Sequence, residues 1–189
     1  MSILFKLNKS RVGVVIGTDG ETKKQIEDKL GVEIIIESKT GDVEIKPDYE
    51  SEQYDPLNVL NAKKIIKAIN RGFNPVKAMK LADPEYELEI FNLISILGKS
   101  NKKLKRIKGR LIGRNGEIRK AIERFAECYV SIYGKTVAII ADFENLQIAR
   151  KAINMLISGM PHHVVLKFLE RRYSEKQKER FREVYKPDF

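Results

Sequence analysis

The stretch LIGRNGEIRKAIE, Leu111 to Glu123, decides how this chain reads. A near copy, VIGTDGETKKQIE, stands 96 positions earlier, at Val15 to Glu27. Both contain Ile-Gly-x-x-Gly-Glu. The later copy places Arg114 and Asn115 between its glycines, the earlier one Thr18 and Asp19. Ile118, Ala121, Ile122 and Phe125 recur at i, i+3, i+4 and i+7, which predicts a helix over Glu117–Glu127 with one face in a core. Arg119, Lys120, Glu123 and Arg124 fall on its other face. A Gly-x-x-Gly segment between two helices turns sharply, and glycine permits the backbone angles. It also lets a phosphate approach the main chain. The N–H groups opening the next helix are unpaired, and the helix dipole favours an anion there. Arg114 has the reach for a phosphate oxygen, and the Asn115 amide is a donor.

The similarity extends outward as an internal repeat. Gly13, Gly17, Gly20, Glu21, Lys24, Ile26 and Glu27 match Gly109, Gly113, Gly116, Glu117, Lys120, Ile122 and Glu123. Each copy continues with a β-branched run, Val32–Ile36 or Cys128–Ile132, a short turn, and a second run, Val43–Ile45 or Val137–Ala141. Each closes with a helix, NAKKIIKAINRGF from Asn61 or QIARKAINMLISGM from Gln147. Asp55-Pro56 is an N-cap followed by proline and predicts the start of the first closing helix. Asp142 is the expected cap of the second. Asn74-Pro75 opens a short linking helix that ends near Asp83-Pro84. Ile3–Leu7 and Tyr86–Leu97 read as the opening strands. The repeat is α+β: strand, short helix, glycine turn, helix, two strands, helix. The expected domains are residues 1–73 and 85–160, with a helical linker over 74–84 and a C-terminal helix and charged tail over 161–189. In the terminal helix Val165, Phe168 and Leu169 share a face.

Charge separates the copies. The chain has 189 residues and a net charge of +10. Residues 1–95 carry 14 basic and 16 acidic residues, a net of −2; residues 96–189 carry 22 and 10, a net of +12. A uniformly charged thermophilic surface would not divide this way. The asymmetry points to a local face for a polyanion, nucleic acid first. KSNKKLKRIKGR, Lys99 to Arg110, has seven basic residues in twelve. The candidate binding residues are Gly113, Arg114, Asn115 and Gly116 with Lys108, Gly109, Arg110, Ile112, Arg119, Lys120, Ile132 and Lys135. Ile107, Leu111, Ile112 and Ile132 are expected to line an apolar groove beside the turn, with base edges toward backbone groups of the adjacent strand.

Other chemistries find little footing. A Walker A loop and the Gly-x-Gly-x-x-Gly dinucleotide fingerprint are both absent. His162 and His163 are adjacent, with no acidic or cysteine partner in the motif, a poor zinc site. Cys128, the only cysteine, lies in a β-branched run and reads as core. Glu117 and Glu123 read as ion-pair partners. No metal, no cofactor and no enzyme activity are expected. There is no apolar run long enough for a membrane span and no secretion signal at the start, so a cytoplasmic location is expected. Tyr49 and Tyr54 sit in an acidic loop, KPDYESEQYD, that reads as solvated.

The pattern resembles the type I KH domain, a single-stranded nucleic-acid module, in two copies. The segments RGFNPVKAMKLADPEYELEIFNLIS, GRLIGRNGEIRKAIER and LQIARKAINMLISGMPHHVVLKFL resemble archaeal small-subunit ribosome-assembly KH proteins of the partner-of-Nob-one and Krr type. The resemblance covers roughly residues 1–170. It implies two tandem domains, each a three-stranded antiparallel sheet packed on helices. It implies that the second binds RNA near the 3′ end of small-subunit ribosomal RNA through its turn. The first is implied to be degenerate at Gly17, Thr18, Asp19 and Gly20 and to serve packing or contacts with an assembly or translation protein. Asp19 supports that division, because a carboxylate beside a phosphate costs on the order of 1 kcal/mol at about 4 Å in water. Two other readings stand beside it. One is a protein-interaction scaffold that binds no RNA; the other is a general messenger-binding or translation-associated KH protein.

Overall fold

The computed structural model describes residues 2–53 and 55–184. Tyr54 and the final residues from Tyr185 lie outside it. The chain forms two compact units, Met1–Ile90 and Phe91–Phe189.

In the first unit, strand β1 (Ile3–Lys6) leads into helix α1 (Lys9–Ile16), capped by Asn8, whose side chain accepts the Ser10 N–H. A 3-10 turn, Thr18–Gly20, joins α1 to α2 (Glu21–Leu30). Strands β2 (Val32–Glu37) and β3 (Asp42–Pro47) follow, then α3 (Asn58–Asn70). The sheet is antiparallel in the order β1-β3-β2. Alternation sends Val32 and Ile34 of β2 and Val43 and Ile45 of β3 inward, onto Ile26, Ile65, Ile66 and Ile69 of the helices, all fully buried. Burial of such side chains, about 1.5–3 kcal/mol each, supplies the core.

Helix α3 starts at Asn58, later than the Asp55-Pro56 signal predicts. Asp55 is engaged one step upstream: its Oδ1 accepts the Leu57 N–H at 2.7 Å, which closes a turn rather than the helix. The linker is built as expected at its start, with Asn74 capping α4 (Pro75–Ala78). A 3-10 turn, Met79–Ala82, continues it. Ala78 and Leu81 are buried and the segment packs on α3, so it completes the first unit rather than running free.

Strand β4 (Tyr86–Asn92) is shorter than predicted. The Asn92 side chain accepts the Ile94 N–H and starts helix α5 (Leu93–Leu97) inside the apolar run. Helix α6 (Asn101–Ile112), a 3-10 turn Arg114–Gly116, and α7 (Glu117–Phe125) lead to β5 (Tyr129–Tyr133) and β6 (Thr136–Asp142). The order is β4-β6-β5, with β5 and β6 antiparallel. Asp142 caps α8 (Phe143–Ile157), its Oδ1 accepting the Asn145 N–H at 2.9 Å. The charged stretch from Ser174 is helical: α9 runs His162–Val184, with Val165 and Leu169 buried against α7 and α8. Each unit is thus a three-stranded antiparallel sheet on helices, and the second adds a C-terminal helix.

Candidate nucleic-acid interface

The α6–α7 turn is shaped by its glycines. Gly113 has φ 73° and ψ 177°, a region open essentially to glycine alone. A Cβ there would stand 2.9 Å from the Ile118 nitrogen. Asn115 takes the left-handed conformation, φ 53° and ψ 22°, and Gly116 follows at φ 77°. The Gly116 N–H donates back to the Gly113 carbonyl at 3.3 Å. Arg114 and Asn115 are left exposed at the apex, beside the amides that open α7. Ile118 and Ile122 are buried and hold that helix in place.

The first unit reproduces this backbone. Gly17 has φ 78° and ψ 176°, Asp19 φ 51° and ψ 26°, and Gly20 φ 80°. The first turn is therefore not degenerate in shape. It differs in side-chain chemistry, a carboxylate standing where the second turn has an amide.

Beside the second turn lies a groove of about 500 Å³ whose walls include Lys105, Lys108, Gly109, Ile112, Gly134 and Lys135. Lys108 spans it, its Nζ donating to the Gly134 carbonyl at 3.0 Å; two further donors of the ammonium remain. Ile112 is partly exposed at the groove, whereas Ile107 and Leu111 are core residues at 3% and 1% exposure and do not line it. Helical spacing makes this division: Asn101, Lys105, Lys108 and Ile112 recur at i, i+4, i+7 and i+11, and Leu104, Ile107 and Leu111 face inward. That stripe also identifies Lys105 as a groove residue, which the basic run alone does not single out.

The far wall is the turn between β5 and β6, at Gly134 and Lys135; β5 itself is an edge strand of the sheet. Glu123 Oε1 accepts the Val130 N–H at 3.0 Å, so the Val130 amide points away from β6. By strand alternation the N–H and C=O of Ile132, two residues on, face the same open edge. Glu123 also pairs with Arg119 at 3.6 Å. The matching Glu27 accepts the Ile34 N–H at 2.7 Å and pairs with Lys23 at 3.1 Å. Glu123 is an ion-pair partner as expected, whereas Glu117 is exposed and makes no ion pair among the described residues; Glu123 and Glu27 in addition dock the edge strand to the helix after the turn. Lys120 is exposed, with its Cε lying 3.9 Å from where a Gly116 Cβ would stand.

Arg110 points elsewhere. Its guanidinium donates to the carbonyls of Leu156 and Met160 at the end of α8. In the first unit Arg11 does the same work, donating to the Ile69 and Phe73 carbonyls, each at 2.9 Å. Arg110 is committed to closing the fold, not to the groove. Cys128 is buried, and burial raises its thiol pKa well above the ordinary range, so it is held neutral. Among the described residues no group of His, Cys, Asp and Glu is arranged for a metal, and no helix is long and apolar enough to cross a membrane.

A helix–Gly-x-x-Gly–helix turn set against the open edge of a three-stranded antiparallel sheet, present in both units, defines a tandem type I KH protein. Family profiles agree: residues 2–68 match the KH domain, and residues 87–174 match the second PNO1 domain, described as a eukaryotic type KH-domain (KH-domain type I). A KH domain-containing protein of Methanocaldococcus jannaschii is 43% identical over 178 residues, 94% of this chain and 77% of that protein. The chain belongs to the archaeal Dim2/PNO1-type KH-domain proteins. Crystallised Dim2p from Pyrococcus horikoshii is 43% identical, with a TM-score of 0.83 over 90% of this chain and 99% of that one. A Pyrococcus horikoshii structure described as an a/eIF2alpha–aDim2p–rRNA complex matches at 43% identity and TM-score 0.85, covering 93% and 95%. An Aeropyrum pernix protein of unknown function matches at 37% identity and TM-score 0.88, covering 96% of each chain.

Proposed function

We propose that this protein binds single-stranded RNA through its second KH domain and acts in small-subunit ribosome assembly in the cytoplasm, on a site near the 3′ end of the small-subunit rRNA. The observation that carries this reading is the Gly113–Gly116 turn. It exposes an arginine and an amide at the start of a helix, where the dipole favours an anion, against an open strand edge, in the half of the chain with net charge +12. A phosphate at the turn meets no carboxylate between the two glycines. Bases lie over Ile112 toward the main chain of Ile132, with Lys108, Gly109 and Lys135 along the groove and Arg119 and Lys120 at its rim. The relative described in complex with rRNA supports the same substrate class.

The first domain offers a phosphate the same backbone but sets Asp19 in its path, and we assign it to protein contacts. On its sheet Leu4 and Ile35 both register with Glu44 and are exposed at 72% and 43%. That apolar pair flanking a carboxylate suits a protein surface better than RNA. A translation factor is one candidate class, since the relative's complex includes a/eIF2alpha.

Crosslinking the protein to cellular RNA and sequencing the bound fragments tests the assignment. Enrichment of the 3′ region of small-subunit rRNA is expected. Fragments spread over messenger RNAs would instead support a general messenger-binding role.

A further inference from the structure

The basic face of α6 does not end at the groove. Lys105 and Lys108 face the groove, but Lys102, Lys103 and Arg106 project from the exposed side of the helix, and Lys99 precedes them. Among the described residues, none of these four side chains makes an ion pair. No acidic residue occurs between Glu89 and Glu117 to neutralise them. Lys102 and Lys103 also sit in the first turn of α6, just after the Ser100 cap, and that turn contains no acidic residue. A cation there opposes the helix dipole, so these lysines weaken the helix that carries them without compensation inside the chain.

Their direction is informative. Lys102 and Arg106 are followed at the same helical phase by Gly109 and Gly113. The stripe therefore runs along α6, which at 12 residues is about 18 Å long, straight to the Gly-x-x-Gly turn. Gly109 leaves the path bare, with nothing within 4 Å of the position a Cβ would take. The first unit lacks this face. Helix α1 carries only Lys9 and Arg11, and Arg11 is spent on the Ile69 and Phe73 carbonyls. The unpaired stripe thus accompanies the turn without a carboxylate.

We propose that Lys99, Lys102, Lys103 and Arg106 form a second RNA-contact surface. It holds the phosphodiester backbone of nucleotides flanking those in the groove, so that the footprint extends along α6 beyond the four or so nucleotides a KH turn clamps. This rests on the assignment of RNA binding to the second domain. The contacts are charge-based and carry no sequence preference.

The experiment is a salt titration of RNA binding by the full chain. One probe is a fluorescein-labelled fragment of about six nucleotides from the 3′ region of small-subunit rRNA; the others are that fragment extended to about twenty, on the 5′ side or on the 3′ side. The triple variant Lys102→Gln, Lys103→Gln, Arg106→Gln should bind the short RNA within about twofold of wild type. It should lose about tenfold on one extended RNA, with the log–log salt slope shallower by about 2, as expected for three lost phosphate contacts at about 0.7 each. Equal binding of short and extended RNAs by wild type, or an unchanged slope in the variant, would overturn the second surface and leave the groove standing. The Arg114→Asp, Asn115→Asp double variant separates the two claims, because it must lose both lengths. Failure of wild type to bind any of the probes would overturn both. Circular dichroism of the triple variant should show a fold at least as stable as wild type, since two cations opposing the helix dipole are gone.

Discussion

The Glu127 carboxylate is held in both oxygens by the Arg180 guanidinium, at 2.8 and 2.7 Å, across 53 residues of chain. Glu127 has φ 45°, left-handed for a residue with a side chain. The matching position in the first unit is Gly31, at φ 58°. There the acidic loop covers the helix end, and a Cβ would fall 2.9 Å from Gln53 and Ser51. In the second unit α9 takes that place. Lys176 adds a contact to Glu127 at 3.1 Å and donates to the Asn145 side chain at 2.6 Å. The helix that begins at the Gly113–Gly116 turn is thus clamped at its other end by the C-terminal helix.

This clamp is pH-dependent. The hydrogen bond from Arg180 is the largest effect on the Glu127 carboxyl; burial opposes it, contacts from Lys176 add to it, and the net result holds the group below its ordinary value. A folded-state pKa that is depressed contributes stability above the unfolded-state value and loses it as pH falls through the folded one. Wild type should therefore be more stable than Glu127→Gln near neutral pH, and the gap should close below the ordinary carboxylate range. Urea denaturation of both proteins at neutral and acid pH checks this; a gap of constant size would exclude the ionised clamp.

Replacing Glu123 by alanine should destabilise the protein by about 1.5–3 kcal/mol, the range for a hydrogen bond to a charged group. It removes the acceptor that docks β5 to α7. Glu117→Ala, at an exposed first-turn site, should cost about 0.3–1 kcal/mol. Equal costs in denaturant titrations would remove the strand-docking role.

Arg110→Ala should lower stability by about 1–3 kcal/mol by leaving carbonyls at the end of α8 unpaired. Its salt slope for RNA binding should match wild type. A slope reduced by about 0.7 with unchanged stability would return Arg110 to the groove.

Gly113→Ala should cost more than Gly116→Ala. The first places a Cβ in a glycine-only region, about 1–3 kcal/mol, and against the Ile118 main chain. The second adds about 1–2 kcal/mol for the left-handed conformation and meets only Lys120 Cε at 3.9 Å. Thermal melts of the two variants give the order.

Much of this was legible because it is local. The glycine turn, the period of α7 and the Asp142 cap depend on residues a few positions apart, and the repeat doubled the signal of the turn. What was not legible depends on tertiary partners. Nothing in KSNKKLKRIKGR marks Arg110 as the cation that meets α8; that follows from the helix phase set by Leu104, Ile107 and Leu111. Glu123 looks like an ion-pair residue until β5 is seen to present a bare amide to it. The run from Tyr86 to Leu97 hides a strand-to-helix change, which the Asn92 cap marks. The first turn was the hardest to read, since Asp19 suggests a lost motif while Gly17 and Gly20 keep its geometry intact.

The division between the two turns is the central claim, and a filter-binding titration against the 3′ region of small-subunit rRNA tests it most directly. Arg114→Asp with Asn115→Asp should abolish binding, with the circular dichroism spectrum unchanged, while Thr18→Asp should leave binding within about twofold of wild type. Unchanged binding by the Arg114, Asn115 variant, or equal losses in both, would contradict the account.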